Sequence, residues 1–234
     1  MSLTLPAPVE AVLFDLDGTL VDTAPDFKSV LLQMSREANI PAPADEAIHH
    51  TVSNGARALV RLAFAIDDEH PAFQERLSTL LALYSARIEQ TQSCLYPGMD
   101  TLLRNLEAAR IPWGVVTNKP SLYSRPLLAA LSLQERCSVL ICPDDVTKTK
   151  PDPEPLLLAC SRLGVAAAKT LYVGDHPRDI EAGRAAGMFT IAVRYGYIPT
   201  APAIHEWGAD LIVDQANAID TLLRQATTTP MTQE

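Results

Sequence analysis

The stretch that decides the fold is VEAVLFDLDGTLVD, residues 9–22 of the 234-residue chain. It begins with a short apolar run that stops abruptly at Asp15. A short apolar run bounded in this way is typical of a parallel strand that is buried on both faces. Residues 9–14 are therefore predicted to form a buried strand, with Asp15 and Asp17 directly after it.

The same pattern returns along the rest of the chain. The further predicted strands are residues 111–117 (IPWGVVT), 138–142 (SVLIC), 170–174 (TLYVG), 189–193 (FTIAV) and 209–213 (ADLIV). Helical stretches lie between them, with prolines where helices would begin and glycines where they would end. This alternation predicts an α/β fold, in which helices cover both faces of a parallel sheet.

One long segment interrupts the alternation of strands and helices. Residues 23–94 contain helical patterns at 26–38, 56–65 and 73–88, and no strand pattern. About 70 residues are too many for a simple crossover, so this insert is predicted to be a helical subdomain. The predicted organisation is a core of residues 1–22 and 95–225, a helical cap at 23–94 and a flexible tail at 226–234.

The composition excludes several classes of function. The chain has 19 Lys and Arg against 28 Asp and Glu, which gives a net charge of -9. Nucleic-acid binding and membrane-surface helices both need clustered basic residues. No apolar stretch approaches the roughly 20 residues of a membrane span, and the start lacks the basic region of a signal peptide. We expect a cytoplasmic monomer or weak homodimer that binds neither nucleic acid nor membranes.

Polar residues follow four of the predicted strands, at the sheet edge where ligands of open parallel sheets bind. In chain order they are Asp15 and Asp17, Thr117 and Asn118, Lys148 and Lys150, and Asp175 and Asp179. A carboxylate can attack phosphorus when cations neutralise the phosphate oxygens. Carboxylates gathered around a phosphate require such a cation, and oxygen ligands suit Mg²⁺. The edge therefore predicts phosphoryl transfer, with Asp15 as the nucleophile.

These four segments, in this order and spacing, resemble the signature motifs of the haloacid dehalogenase (HAD) superfamily. The resemblance implies a Rossmann-like parallel sheet core with an inserted α-helical cap domain of the C1 type. It also implies an aspartyl-phosphate intermediate on Asp15, with Asp17 as general acid and then general base. Dehalogenases of this superfamily generally lack the second aspartate, so Asp17 favours a phosphoric monoester hydrolase acting on a small phosphate ester.

The remaining roles follow from the same resemblance. Thr117 would supply a hydroxyl and Asn118 a backbone N–H to the transferring oxygens, and Lys150 a positive charge. Lys148 is the competing lysine. The implied Mg²⁺ ligands are the side chains of Asp15 and Asp175 and the backbone carbonyl of Asp17, with Asp179 in a supporting position.

Within the superfamily the sequence resembles the phosphoglycolate phosphatase branch. Core stretches 112–120, 151–157 and 179–188 resemble members that act on N-acetylmuramic acid 6-phosphate in cell-wall sugar recycling. That ester is the first expected substrate and 2-phosphoglycolate the alternative. A non-catalytic phospho-ligand-binding regulator is an alternative of another class, against which the intact nucleophile and acid weigh.

Both expected substrates carry a carboxylate, and the segment 53–57 of the cap is the predicted contact to it. Gly55 would allow a tight turn, and Arg57 would bind the carboxylate with two parallel hydrogen bonds. In the alternative, Ser53 and Asn54 only cap a helix and Arg57 is exposed.

Overall fold

A parallel sheet of six strands lies at the centre of the structure, a computed structural model that describes residues 5–6 and 8–228. The strands are β1 (Ala11–Phe14), β2 (Val21–Asp22), β3 (Cys94–Leu95), β4 (Trp113–Val116), β5 (Val139–Ile141), β6 (Thr170–Gly174), β7 (Phe189–Val193) and β8 (Leu211–Val213). The large sheet has the order β5-β4-β1-β6-β7-β8, and all its neighbouring strands are parallel. The predicted α/β fold is confirmed.

Helices precede and follow these strands throughout the described residues. They are α1 (Ala24–Glu37), α2 (Asp45–Thr51), α3 (Gly55–Phe64), α4 (Phe73–Ile88), α5 (Met99–Ala108), α6 (Ser121–Ala130), α7 (Glu154–Leu163), α8 (Pro177–Ala185) and α9 (Ala216–Thr228). α9 continues three residues into the segment 226–234, for which the sequence predicts a flexible tail. The rest of that predicted tail, 229–234, lies outside the described residues.

β1 occupies the middle of the sheet because it is apolar on both faces. All four of its residues are fully buried. Val12 and Phe14 pack with residues of α5 and α9, whereas Leu13 packs with residues of α7 and α8. Successive side chains of a strand point to opposite faces, so β1 contributes to both layers of the core. Its carboxyl end therefore emerges at the centre of the sheet edge.

The helices α1–α4, here called the helical insert, lie between β2 and β3. These two short strands pair antiparallel, with Val21 opposite Leu95 and Asp22 opposite Cys94. The pair brings the entry and the exit of the helical insert side by side. Inside the insert, the rings of Phe27 and Tyr84 stack with centroids 4.2 Å apart. Among the described residues, no helix is long and apolar enough to cross a membrane.

Candidate active site

Asp15 lies at the carboxyl end of β1, and only 3% of its surface is exposed. The Nζ atom of Lys150 donates to Oδ1 of Asp15 (2.8 Å) and to Oδ1 of Asp179 (2.7 Å). It also lies 2.8 Å from the hydroxyl of Tyr172. Burial opposes the charge of Lys150, but the two carboxylates outweigh burial and raise its pKa above the usual value. Lys150 is therefore a fixed cation beside Asp15.

Three buried carboxylates gather at this edge of the sheet. One oxygen from each of Asp15, Asp175 and Asp179 lies within 4.8 Å of the other two. Asp175 accepts hydrogen bonds from Oγ1 of Thr19 (3.0 Å) and from the backbone N–H of Tyr197 (2.8 Å). Burial, with the charges of Asp15 and Asp179, nevertheless raises the pKa of Asp175 to about 8. A divalent cation would relieve this repulsion, and oxygen ligands are those that Mg²⁺ prefers, so the residues fit the predicted metal.

Asp17 is held by two donors on its Oδ1 atom. Oγ1 of Thr23 donates at 2.6 Å and Nζ of Lys119 at 2.7 Å. The Lys119 side chain is only 9% exposed, and its ammonium lies 5.1 Å and 4.6 Å from the ring centroids of Phe27 and Tyr84. Burial opposes the charge of Lys119, but Asp17 outweighs burial and raises its pKa. Asp17 is thus anchored by a core lysine that packs against two helices of the helical insert.

The loop that carries Lys150 is fastened by Asn118. The amide Nδ2 of Asn118 donates to the carbonyl of Lys150 (2.9 Å), and its Oδ1 accepts from the N–H of Lys150 (3.1 Å). Thr117 is buried, and its Oγ1 accepts from the N–H of Lys119 at 3.1 Å. Lys148, the competing lysine, is exposed. The structure therefore brings Lys150, and not Lys148, to Asp15.

The sequence of the chain matches those of known proteins. The profile of the haloacid dehalogenase-like hydrolase family matches residues 12–193. The chain belongs to this family. An N-acetylmuramic acid 6-phosphate phosphatase of Pseudomonas putida is 48% identical over 206 residues, which cover 88% of this chain and 92% of that protein. A phosphoglycolate phosphatase of Xanthomonas campestris pv. campestris is 42% identical over 211 residues, 88% of this chain and 92% of that protein.

A solved structure supports the same assignment. The crystal structure of a predicted phosphoglycolate phosphatase from Haemophilus somnus superposes with a TM-score of 0.79, at 27% identity, over 94% of this chain and 99% of that one. The chain is therefore a phosphoric monoester hydrolase of the haloacid dehalogenase type. The family predicted from the four motifs is confirmed.

The predicted carboxylate contact of this phosphatase lies at the start of α3. Gly55 has a φ of 81°, and no atom lies within 4 Å of where a Cβ would stand. Arg57 is exposed and donates to Oδ2 of Asp68 from Nε (3.1 Å) and Nη2 (2.8 Å), with its guanidinium over the ring of Phe73. Its contacts are therefore within the helical insert. Ser53 reaches the phosphatase core instead, and its Oγ donates to Oδ2 of Asp175 at 3.2 Å.

A tyrosine joins Asp175 to the base of the helical insert. The hydroxyl of Tyr197 donates to Oδ1 of Asp22 (2.6 Å) and accepts from the N–H groups of Thr23 (2.6 Å) and Ala24 (2.7 Å). Its own N–H binds Asp175, as described above. Tyr197 therefore fixes the segment through which the chain leaves β2 and enters α1.

The sequence did not single out Lys119, Tyr172 or Tyr197 as residues of the HAD site. For two of these residues, the sequence contains a feature that could have indicated a role in the site. Lys119 directly follows the Thr117–Asn118 pair, and Tyr172 places a hydroxyl inside an apolar buried strand, where it requires a polar partner. Tyr197 lies in the loop after β7, outside any motif, so only the folded arrangement reveals it.

Proposed function

We propose that this phosphatase hydrolyses N-acetylmuramic acid 6-phosphate through an aspartyl-phosphate on Asp15. The observation that carries the proposal is the position of Asp15, held at 2.8 Å by Lys150 and grouped with Asp175 and Asp179. A rigid carboxylate beside a fixed cation is suited to in-line attack on a phosphate whose charge is neutralised.

In the first step, an Asp15 oxygen forms a bond to phosphorus while the bond from phosphorus to the sugar oxygen breaks. Asp17 donates a proton to the leaving alkoxide. The hydrogen bonds from Thr23 and Lys119 both go to Oδ1 of Asp17, so Oδ2 is the oxygen that carries this proton. Lys150 stabilises the charge that develops on the phosphoryl oxygens. The Thr117 hydroxyl and the Asn118 N–H are assigned to the same oxygens.

In the second step, water replaces the sugar. Asp17, now ionised, takes a proton from the water as its oxygen attacks phosphorus, and the bond between phosphorus and Asp15 breaks. Inorganic phosphate leaves and the Asp15 carboxylate is restored. Because Asp17 gives a proton in one step and takes one in the other, the cycle closes without another acid or base.

We assign the Mg²⁺ site to the side chains of Asp15 and Asp175 and the backbone carbonyl of Asp17. When bound, Mg²⁺ supplies Lewis-acid stabilisation to the phosphate oxygens. Asp179 is assigned a supporting role, because its Oδ1 accepts from Lys150 and its Oδ2 accepts from the N–H of His176 (3.1 Å). Removal of divalent cations by EDTA is expected to abolish phosphate release, and added Mg²⁺ to restore it.

The substrate assignment is supported by the relative of that name, at 48% identity over most of both chains. 2-Phosphoglycolate is the second candidate, because the Xanthomonas relative of that name is 42% identical. A panel of N-acetylmuramic acid 6-phosphate, 2-phosphoglycolate and glucosamine 6-phosphate, compared by kcat/KM, separates them. The first ester is expected to give the highest value, and a higher value for 2-phosphoglycolate would reverse the assignment.

The mechanism is tested with Asp15→Asn. This variant is expected to fold and to release no phosphate, while Asp214→Asn, a change at an exposed aspartate that follows β8, keeps wild-type turnover. Acid quenching of the wild type with labelled substrate is expected to trap protein-bound phosphate that hydroxylamine removes. Undiminished turnover by Asp15→Asn would refute the covalent mechanism. The same result is expected if the chain is a non-catalytic regulator and the measured turnover comes from a contaminating phosphatase.

We expect the enzyme to be a monomer or a weak homodimer. Among the described residues, Leu122 and Leu157 are the large hydrophobic side chains that are exposed, at 66% and 45%. Stable obligate dimers bury extended apolar interfaces, which two separate leucines do not provide. Sedimentation at micromolar concentration is expected to show a single species with the mass of one chain.

A further inference from the structure

One cation at the junction between the helical insert and the sheet edge, Arg178, has no anionic partner among the described residues. Lys119 and Lys150 are paired with carboxylates of the site, and Arg57 is paired with Asp68. Arg178, the second residue of α8, forms no ion pair with any residue in the described part of the chain. Its charge is therefore not balanced by a carboxylate of the described residues.

The contacts of the Arg178 guanidinium place it beside the phosphate site. Nη2 donates to the backbone carbonyl of Ser53 at 2.5 Å, and the side chain of Ser53 in turn donates to Asp175. Nε is buried and has no hydrogen-bond partner among the described residues. A buried donor of a charged group without a partner is costly, which is why such donors usually have a ligand or a functional role.

The surroundings of Arg178 do not supply a competing positive charge. His176 directly precedes α8 and is the N-cap residue of this helix. Its Nδ1 accepts from the backbone N–H of Arg178 at 3.3 Å, which holds the two residues together. The charge of Lys150 is balanced by Asp15 and Asp179. Within the part of the chain that the structure describes, Arg178 is thus a cation without a carboxylate partner at the side of the site that faces the helical insert.

We propose that Arg178 recognises a carboxylate on the leaving group of the substrate. Nε and Nη2 lie on one edge of the guanidinium, so the free Nε–H and the second N–H of Nη2, the one not used by Ser53, can donate two parallel hydrogen bonds to one carboxylate. This inference rests on the proposed function, because both candidate substrates carry a carboxylate. It replaces Arg57 in that role, since Asp68 already occupies the same edge of the Arg57 guanidinium.

The test uses two pairs of esters that differ in the carboxylate. N-acetylmuramic acid 6-phosphate is compared with N-acetylglucosamine 6-phosphate, which lacks the lactyl group, and 2-phosphoglycolate with ethyl phosphate. The variants are Arg178→Gln, Arg178→Lys, Arg57→Gln and the control Arg184→Gln, an exposed arginine on the same helix. Activity on the ester without a carboxylate reports whether each variant is folded and competent.

Arg178→Gln is expected to lower kcat/KM for the carboxylated ester about 10- to 100-fold, mainly through KM, and to change the partner ester less than about threefold. Arg178→Lys is expected to retain part of the preference in kcat/KM for the carboxylated ester, and Arg184→Gln is expected to retain all of this preference. Equal losses on both esters of a pair, or no loss on either, would overturn the proposal. A selective loss in Arg57→Gln alone would overturn it in favour of Arg57.

The same data separate this inference from the substrate assignment. If the wild type hydrolyses 2-phosphoglycolate and not the sugar phosphate, the substrate assignment fails. The carboxylate proposal is then supported if Arg178→Gln lowers the ratio of kcat/KM for 2-phosphoglycolate to kcat/KM for ethyl phosphate. An unchanged ratio would refute it.

Discussion

Replacing Tyr197 by Phe removes a single oxygen atom at the base of the helical insert. That oxygen accepts from the N–H groups of Thr23 and Ala24 and donates to Asp22. Tyr197 is fully buried, so the phenyl ring of the variant fills the same space while three hydrogen bonds are lost. The variant therefore isolates the polar contribution of this hydroxyl.

The expected cost follows from the groups left without a partner. Thr23 is fully buried, so its backbone N–H loses its acceptor where water has little access, whereas the N–H of Ala24 keeps Oδ1 of Asp22 (3.2 Å) as an acceptor. An unsatisfied buried donor costs about 1–3 kcal/mol and the other lost hydrogen bonds about 1 kcal/mol, so we expect a total loss of about 2–4 kcal/mol. For a chain of this size, about 2–4 °C of melting temperature corresponds to each kcal/mol, so Tm is expected to fall by about 5–15 °C.

Thermal unfolding followed by circular dichroism measures this shift. The matched control is Tyr195→Phe, which loses one hydrogen bond, from its hydroxyl to the carbonyl of Thr19 (3.1 Å). That control is expected to cost about 1 kcal/mol, or about 2–4 °C. If Tyr197→Phe melts no lower than Tyr195→Phe, the Tyr197 hydroxyl does not hold the base of the helical insert and the reasoning fails.

Two other substitutions test the packing of the site. Gly18→Ala is expected to abolish phosphate release, because a Cβ at Gly18 would lie 2.1 Å from Oδ2 of Asp175. The control is Gly187→Ala, which is also at positive φ but has no atom within 4 Å of the added Cβ. It is expected to lower the free energy of unfolding by only about 1–2 kcal/mol and to leave kcat unchanged. Similar turnover in both variants would contradict the packing argument. Lys119→Met is expected to lower the free energy of unfolding by about 3–5 kcal/mol and to reduce kcat, because Asp17 loses its buried partner. Urea unfolding measures this change in the free energy of unfolding. If Lys119→Met were as stable as the wild type, the expectation would be wrong, and water would replace the lysine as the partner of Asp17.

The large sheet and most helices could be predicted because their patterns are local. β1 is recognisable from four consecutive apolar residues that end at an aspartate, and the other five strands of its sheet are also short, mostly apolar runs. β2 and β3 were not predicted, since a strand of two residues has no periodicity. α2 was not predicted either, because only Ile48 of its seven residues is buried and one apolar position defines no face.

Site residues that directly follow a strand could be predicted from the sequence. Those whose position depends on contacts between distant segments were harder to predict. Asp15 and Asp175 end neighbouring strands, so their approach follows from the parallel sheet. The pairing of Arg57 with Asp68 depends on how α3 meets the loop before α4, which spacing alone does not define. That Arg178 has no ion-pair partner among the described residues likewise depends on where the helical insert meets α8.

The position of β1 in the sheet has a consequence for how the enzyme is made. β1 is the first strand to be synthesised, yet its two neighbours are β4, near residue 113, and β6, near residue 170. Pairings between such distant segments form late, because a long loop must close before any contact compensates for its entropy. The helices α1–α4 contact mainly one another, so most of their packing needs no residue beyond 94. A ribosome-bound chain is therefore expected to carry a folded helical insert while Asp15 still has no lysine beside it. It is expected to gain catalytic competence only after Asp175 and Asp179 have also left the ribosome.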